Sequence, residues 1–204
     1  MSHLLLVGEQ MLPFLDNIKS SCMTQASRKI LLISGSGRNV GKTSFMRRVI
    51  AHNASHQLVA IKITPHFHEP GSGLTPLFVS DSYRIFQETD ASSSKDSSLF
   101  LQAGAERVFY IQATDTSLEE AFNLVTEQLS PLQPILVESA ALRTILVPEL
   151  YVFIQKNFEE IKPSAVEMQK LADLIVYSDS GQFSIDPGTI TFDQKWNLQT
   201  NDNS

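Results

Sequence analysis

The sequence predicts a single α/β domain whose mostly parallel sheet has helices on both faces and small β-hairpin additions. Short apolar runs alternate along the chain with amphipathic helical patterns. Several runs are apolar almost throughout, as in LVAIKI at 58–63, which is typical of a parallel strand that is covered on both faces. The length of 204 residues suits one domain of this class.

The predicted elements follow one another in a regular order along the chain. The predicted strands are 29–34, 58–63, 107–112, 134–138, 150–154 and 174–177. The predicted helices are 42–52, 96–102, 117–129 and 164–172. Ser117 with Glu120, and Ser164 with Glu167, have the spacing of capping boxes. This alternation of strands and helices is the pattern of an α/β sheet.

Two segments are expected to add hairpins to the sheet. Residues 64–98 are rich in Pro, Gly, Ser, Thr and Asp, and we expect a long irregular region with a hairpin near 77–86. A loop of this length inside a compact domain is usually functional. A terminal hairpin is expected over 181–192, around Asp186-Pro187-Gly188.

Three segments are predicted along the chain. Residues 1–28 have apolar side chains at roughly helical spacing and are expected to form a helical extension. Residues 29–198 form the predicted domain. The polar tail at 199–204 is expected to fray.

Charge and composition exclude several classes of protein. The net charge is −6 and no basic block offsets it, so general nucleic-acid binding is not expected. The single cysteine, Cys22, allows no intrachain disulfide and fits a reducing compartment. No run approaches the ~20 apolar residues of a membrane span, and the N-terminus lacks the basic start of a signal peptide. We therefore expect a cytoplasmic protein.

The link between the first strand and the first helix has the sequence of a phosphate-binding P-loop. Gly41, Lys42 and Thr43 follow a glycine-bearing loop and open the predicted helix. Backbone N–H groups and the helix N-terminus would bind phosphate oxygens. Lys42 would neutralise the outer phosphates, and Thr43 would bind Mg²⁺. Gly41 is expected because a Cβ there would push the backbone away from the phosphates.

This motif predicts a single-domain P-loop NTPase that binds Mg²⁺ with ATP or GTP. No guanine-reading N-K-x-D motif is present, so the base stays open. The residues expected to contact the nucleotide are Gly35, Ser36, Gly37, Arg38, Asn39, Val40, Gly41, Lys42, Thr43 and Ser44.

The start of the loop departs from the strict pattern G-x-x-x-x-G-K-[ST]. The position of the first glycine is occupied by Ser36, with Gly35 and Gly37 on either side. If Gly35 is the turning glycine, the loop is one residue longer than usual.

Glu138 is the predicted partner of the loop. It ends an apolar strand, where an acid can hold Mg²⁺ or polarise an attacking water. It is therefore named with Lys42 as catalytic and with Thr43 as metal-binding. Asp115 follows a strand by three residues and is a weaker candidate, since it can equally cap the next helix.

Further polar residues follow the second strand. His66, His68 and Glu69 could contact a metal or a phosphate, although two histidines without a third firm ligand are equally well explained as polar loop residues. Lys62 lies within a buried strand and needs a charged partner. Lys95, just before the predicted helix that opens at Asp96, belongs to the cluster Lys95-Asp96-Ser97, which can contribute to the site or be no more than a helix cap.

Several of these stretches together resemble the molybdopterin-guanine dinucleotide biosynthesis protein B (MobB) family. They are RNVGKT at 38–43, VAIKI followed by PHFHEP at 59–70, KDSSLFLQAGA at 95–105, and LVES at 136–139. The resemblance implies a GTP-binding, weakly hydrolytic, dimeric adapter that assists attachment of a nucleotide to molybdopterin. The family's glycine after the strand-end glutamate is Ser139 here.

Two alternatives remain open at this stage. The loop GSGRNVGKT has the length of the loop in dethiobiotin synthetases, and the pattern from Lys95 to Ala105 is similar to that of lipid A 4′-kinases. This implies an ATP-dependent small-molecule kinase or synthetase with its acceptor in the 64–98 region. The departures at Ser36 and Ser139 instead suggest a non-catalytic nucleotide-binding module.

Overall fold

A computed structural model describes residues 28–157 and 159–199 and shows an α/β arrangement. The described strands are β1 (Ile30–Gly35), β2 (Val59–Thr64), β3 (Leu74–Val79), β4 (Tyr83–Glu88), β5 (Arg107–Ala113), β6 (Ile135–Glu138), β7 (Leu150–Lys156), β8 (Leu174–Asp179), β9 (Gln182–Phe183), β10 (Ile190–Asp193) and β11 (Lys195–Leu198). The described α-helices are α1 (Lys42–His52), α2 (Asp96–Gln102), α3 (Leu118–Thr126) and α4 (Pro163–Lys170).

Nine strands form one sheet in the order β3-β4-β5-β2-β6-β1-β7-β8-β9. The central strands, which lie side by side in the order β5-β2-β6-β1-β7-β8, pair parallel. At the two edges, β3 and β4 on one side and β9 on the other pair antiparallel. The predicted mostly parallel sheet is therefore confirmed. Glu138 at the end of β6 lies in register with Ile33 on one side and Lys62 on the other. The carboxyl ends of three central strands thus meet at one edge.

Helices cover both faces of this sheet. Leu31 and Ile33 of β1 pack in one cluster with Phe45 and Val49 of α1 and with Phe100 of α2. The other face packs against α3 and α4. The side chains that form that second layer are Leu32, Phe109, Leu118, Phe122, Val125 and Met168. Successive side chains of a strand point to opposite faces of the sheet, and burying a large apolar one contributes about 1.5–3 kcal/mol to stability. The apolar side chains of each strand therefore fix which of its residues face each helical layer.

The region 64–98 is more regular than its composition predicts. Residues 74–79 and 83–88 form an antiparallel pair, and β4 continues the sheet by pairing with β5. The expected hairpin is confirmed and longer, but the expectation of a mostly irregular region is wrong. Edge pairing with an apolar strand explains the difference, because it supplies partners that the local sequence does not reveal.

The terminal hairpin lies at a different place from the predicted one. Asp186 accepts the N–H of Gly188 through its side chain and opens a short 3₁₀ turn, so this segment does not reverse a hairpin. The hairpin is instead formed by β10 and β11, which turn at Gln194 with φ of 59°. Asp-Pro-Gly favours several tight turns, and the sequence alone could not choose among them.

The predicted capping box of Ser117 and Glu120 is not formed. The hydroxyl of Ser117 donates to the carbonyl of Ser82 at 2.6 Å, and the carboxylate of Glu120 accepts from the hydroxyl of Tyr83 at 2.8 Å. At this helix, contacts with residues distant in sequence have replaced the predicted local one. The fourth helix begins at Pro163, one residue earlier than predicted, so position 164 lies inside it.

Two of the predicted segments fall mostly outside the described residues. The expected extension at 1–28 is described only at its last residue, and of the expected tail at 199–204 only residue 199 is described. Within the described part of the chain, no helix is both long and apolar enough to cross a membrane.

Candidate functional site

The predicted phosphate loop connects β1 to α1 over residues 36–41, and its first turn is made possible by Gly35. A Cβ at that position would lie 2.6 Å from the carbonyl oxygen of Ile154 and 2.9 Å from the Val40 side chain. The N–H of Ser36 donates to the carbonyl of Ile154 at 2.9 Å. Ser36 therefore stays bonded to β7 just after β1 ends, and a serine is tolerated there because Gly35 provides the close approach.

The structure gives the end of the loop a requirement for glycine that does not depend on a bound phosphate. Gly41 has φ of 93°, and a Cβ there would lie 3.0 Å from the ring of Phe183. The requirement comes from the left-handed backbone and a neighbouring aromatic ring. Asn39 also has positive φ, at 58°. Left-handed residues of this kind are a feature of the backbone turns that bind anions.

Val40 anchors the middle of the loop to the domain. Its side chain is 2% exposed, and its carbonyl accepts from the hydroxyl of Ser178 at 2.7 Å. Gly37, Arg38 and Asn39 are exposed on the outer side of the loop. One part of the loop is thus fixed to the core, while the other is open to a ligand.

Lys42 lies at the start of α1 with its amine folded back on the loop. Its Nζ donates to the carbonyl of Gly37 at 2.7 Å. Burial lowers the pKa of Lys42, the charge of Lys62 lowers it further, and Glu138 and Asp96 oppose both effects. The amine is therefore placed among charged groups and partly out of water, where an added anion would be bound strongly.

Thr43 and Glu138 face each other across the first turn of the helix. The Thr43 hydroxyl donates to Oε2 of Glu138 at 3.4 Å, and Glu138 is 7% exposed. The other carboxylate oxygen, Oε1, lies 3.5 Å from Nζ of Lys62. The predicted pair of Thr43 and Glu138 is therefore brought together by the alignment of β1 and β6.

Lys62 finds the charged partners that its buried strand requires. It pairs with Glu138 on the neighbouring strand and with Asp96 at the start of α2. Burial lowers the pKa of Lys62, but Glu138 and Asp96 outweigh that effect and raise it above the ordinary value. The sequence alone does not establish Asp96 as part of this site, because the packing of α2 beside the sheet brings the residue there.

Other predicted residues lie at the margin of this site. His66 Nε2 is 3.3 Å from the Arg38 guanidinium, which joins the segment after β2 to the phosphate loop. Ser44 is exposed on α1, and Asp115 is exposed before α3. In 28–157 and 159–199, no three His, Cys, Asp or Glu side chains come together to hold a metal, so His66 and His68 have no third ligand.

A cavity next to Lys62 was not predicted. Its volume is about 370 Å³, and it lies between the sheet, the start of α2 and the segment around residues 68–74. Only the composition and length of the 64–98 region hinted at a binding function there. Comparisons with models of known protein families, with curated proteins and with solved structures found no match.

Proposed function

We propose that the protein binds a nucleoside triphosphate, ATP or GTP, with Mg²⁺ and hydrolyses it slowly. The observation that carries the proposal is the convergence of Lys42, Thr43 and Glu138 at the start of α1. The Thr43 hydroxyl and the Glu138 carboxylate are 3.4 Å apart, and the Lys42 amine lies on the loop beside them. Phosphate, metal and water chemistry need these three functional groups within one small volume.

Phosphate binding would use the exposed part of the loop and the helix start. Gly37, Arg38 and Asn39 offer backbone N–H groups on an open surface, and α1 adds the partial positive charge of its N-terminus. Lys42 would exchange the Gly37 carbonyl for phosphate oxygens, which are charged and form stronger hydrogen bonds.

The residues present fit Mg²⁺. Thr43 and Glu138 provide oxygen atoms, the ligand type that Mg²⁺ prefers, and Mg²⁺ in nucleotide sites commonly uses one or two protein groups together with phosphates and waters. Oε2 of Glu138 faces Thr43 whereas Oε1 faces Lys62, so Oε2 is the oxygen on the metal side. Bound Mg²⁺ would supply charge neutralisation to the outer phosphates.

Hydrolysis would depend on Glu138 and on the cations around it. Its carboxylate can orient a water towards the terminal phosphate, and Lys62 holds the carboxylate in place at 3.5 Å. The guanidinium of Arg38 is exposed and lies next to His66. An arginine that reaches the terminal phosphate accelerates such reactions by about 10³–10⁵, so a guanidinium engaged with His66 favours slow turnover.

The biological setting that we propose first is the adapter role implied by the MobB-like motifs. In that setting the protein would work as a homodimer and would assist attachment of a nucleotide to molybdopterin. Genes for molybdopterin enzymes beside its own gene would support this setting. Genes for biotin or lipid synthesis would favour the alternatives.

Calorimetric titration with Mg–ATP and Mg–GTP tests the core of the proposal. We expect binding of one or both, and Lys42→Ala should weaken it roughly 100-fold, because the variant loses two charge-assisted hydrogen bonds to phosphate. Lys170→Ala is the matched control, since Lys170 is exposed on α4 and pairs only with Glu167. Absence of binding at millimolar nucleotide, or equal affinity of wild type and Lys42→Ala, would reject nucleotide binding.

A second candidate function is an ATP-dependent small-molecule kinase or synthetase. The cavity beyond Lys62 favours it, because a transfer enzyme needs room for an acceptor next to the terminal phosphate. A third candidate is a non-catalytic nucleotide-binding module. The hydrogen bond from the Ser36 N–H to the carbonyl of Ile154 favours it, because that N–H is then not available to a phosphate. Turnover that is lost in Glu138→Gln would reject the non-catalytic reading.

A further inference from the structure

The cavity beside the phosphate loop has a defined place in the site. Lys62 and Asp96 form its inner wall and connect it to Glu138. Tyr110 and Leu74 contribute to the side that lies on the sheet, and Lys95 and Glu69 lie at its outer part. With a volume of about 370 Å³, it is within the size range of small-molecule sites.

The cavity lies on the side of the loop that would face the terminal phosphate. Lys42 and Thr43 contact the outer phosphates and the metal in such loops, and here both point towards Glu138. Lys62 follows Glu138 on the next strand and opens into the cavity. Elsewhere the loop is covered by Phe183 and Ser178, which contact it at Gly41 and Val40. An acceptor for the terminal phosphate would approach from the Lys62 side.

The cavity has a cation outside any close ion pair at its outer part. Among the described residues, Lys95 makes no ion pair, unlike Lys62. It does act on the nearby Asp90, because hydrogen bonds from Ser92 and the charge of Lys95 lower the pKa of that carboxyl. The absence of a side chain at Gly71 leaves room for the Lys95 amine beside it. An ammonium group at the rim of a cavity is suited to a carboxylate or phosphate group.

The start of α2, which carries Lys95 and Asp96, is held firmly. Ser97 donates to the carboxylate of Glu88 at 2.6 Å, and Glu88 also accepts the N–H groups of Thr89 and Asp90. The ring of Tyr110 is stacked near Phe86, with centroids 6.3 Å apart, which gives the cavity a flat side. The cavity is therefore lined by the charged groups of Lys62, Asp96 and Lys95 and by the flat ring of Tyr110.

We propose that this cavity binds a small organic acid that carries a hydroxyl or an amine, and that this acid is the acceptor of the terminal phosphoryl group. The acid group pairs with Lys95, and the hydroxyl or amine lies at the inner wall beside Asp96. The acceptor role rests on the proposed binding of Mg–nucleoside triphosphate. The binding of an acid does not.

The transfer balances with these groups. The acceptor hydroxyl oxygen, or the nitrogen of an amine that has first released its ammonium proton to solvent, forms a bond to the terminal phosphorus, and the bond from that phosphorus to the bridging oxygen breaks. The nucleoside diphosphate leaves with the electron pair of that bond. The proton of the acceptor passes to the Asp96 carboxylate. Lys62 keeps Asp96 at the inner wall through their ion pair.

Saturation-transfer NMR on the full chain tests acid binding, with and without Mg–ADP. The probes are glycerate, serine, 3-hydroxybutyrate, 4-aminobutyrate and glycerol 3-phosphate, with glycerol as the neutral comparison. We expect an acid to bind at millimolar concentration and glycerol not to bind. Lys95→Met should weaken binding about tenfold or more, because it removes the charge and keeps the chain length. Lys170→Met is the matched control and should bind like wild type.

Phosphorus NMR with Mg–ATP or Mg–GTP and the binding acid tests the transfer. Formation of the phosphorylated acid supports the proposal, whereas inorganic phosphate as the only product overturns the acceptor role. Failure of every probe acid to bind, or displacement of the acid by adenosine or guanosine, overturns the acid site. Acid binding by a protein that binds no Mg–nucleotide supports the acid site and rejects both the acceptor role and the proposed function.

Discussion

At the scale of single residues, two glycines of the phosphate loop have different requirements. Gly41 adopts φ of 93° and has the ring of Phe183 3.0 Å from the place of a Cβ. Gly37, four residues earlier, has no heavy atom within 4 Å of that place. Position 41 therefore requires glycine, whereas position 37 has room for a larger residue.

Substituting each glycine with alanine tests this distinction. We expect Gly41→Ala to lower the free energy of unfolding by about 1–3 kcal/mol, because a Cβ residue is strained in the left-handed region. Gly37→Ala should leave stability unchanged or raise it by less than about 1 kcal/mol. Urea denaturation measures both values, and equal effects of the two substitutions would contradict the interpretation.

The ion pairs of Lys62 predict a pH dependence at the alkaline end. Its pKa in the folded chain is above the ordinary 10.5, so the stabilisation is complete below that value and is lost as the pH rises through the folded pKa. The difference in unfolding free energy between wild type and Lys62→Met should be constant near neutral pH. Above about pH 10.5, the unfolding free energy of wild type should fall relative to that of Lys62→Met.

Urea denaturation from about pH 8 to about pH 11.5 measures that difference. Lys170→Met serves as control, because the pair of Lys170 with Glu167 is on the surface and contributes little. A difference between wild type and Lys62→Met that stays constant through this range would show that Lys62 is not held in its charged form by Glu138 and Asp96.

At the scale of elements, the strand β8 fixes the phosphate loop. The hydroxyl of Ser178 donates to the carbonyl of Val40 at 2.7 Å in a buried environment. Ser178→Ala should therefore lower the free energy of unfolding by about 1–3 kcal/mol, since it leaves a buried carbonyl unpaired. It should also weaken nucleotide binding, because the loop would no longer be fixed to β8 at Val40.

Ser180→Ala is the matched control for that variant. Ser180 lies in the turn after β8, and its hydroxyl bonds only to the exposed carboxylate of Asp179. Urea denaturation and nucleotide titration of both variants give the comparison. If Ser178→Ala binds nucleotide as well as Ser180→Ala does, the loop does not depend on β8 for its shape.

The elements also show what the sequence can and cannot predict. The helix 42–52 was predicted with its observed bounds, and the central strands within two residues, because apolar runs between glycine-rich links have few alternative structures. The turn at Gln194 was missed, since positive φ at a glutamine has no sequence signal. Capping by Ser117 was wrong because the carbonyl of Ser82, distant in sequence, competes for its hydroxyl.

The same limit applies to the candidate site. The closeness of Thr43 and Glu138 was predictable, because parallel strands bring their carboxyl ends to one edge of the sheet. The pairing of Lys62 with Asp96 was not, since it depends on how α2 packs beside the sheet. Motifs thus singled out the loop between β1 and α1 as the candidate phosphate loop, whereas the cavity next to it depends on tertiary contacts.

At the scale of the whole molecule, the terminal hairpin of β10 and β11 is joined to the first helix by one buried side chain. Asn53 follows α1 and is 2% exposed; it donates to the carbonyl of Ile190 at 2.9 Å and accepts the N–H of Phe192 at 2.8 Å. Trp196, the single tryptophan, is 4% exposed and donates to the carbonyl of Lys29 at 3.0 Å. The hairpin should therefore unfold with the sheet.

Tryptophan fluorescence and far-UV circular dichroism test this cooperativity, because the first reports the hairpin at Trp196 and the second reports the whole chain. We expect the two urea transitions of wild type to coincide. Asn53→Ala should lower the unfolding free energy by about 2–4 kcal/mol, since several buried hydrogen bonds lose their partner, and both transitions should move together. His52→Ala, at the exposed neighbouring position, should change neither by more than about 0.5 kcal/mol. A fluorescence transition that precedes the dichroism transition would show instead that the hairpin is a separate, weaker unit attached to α1.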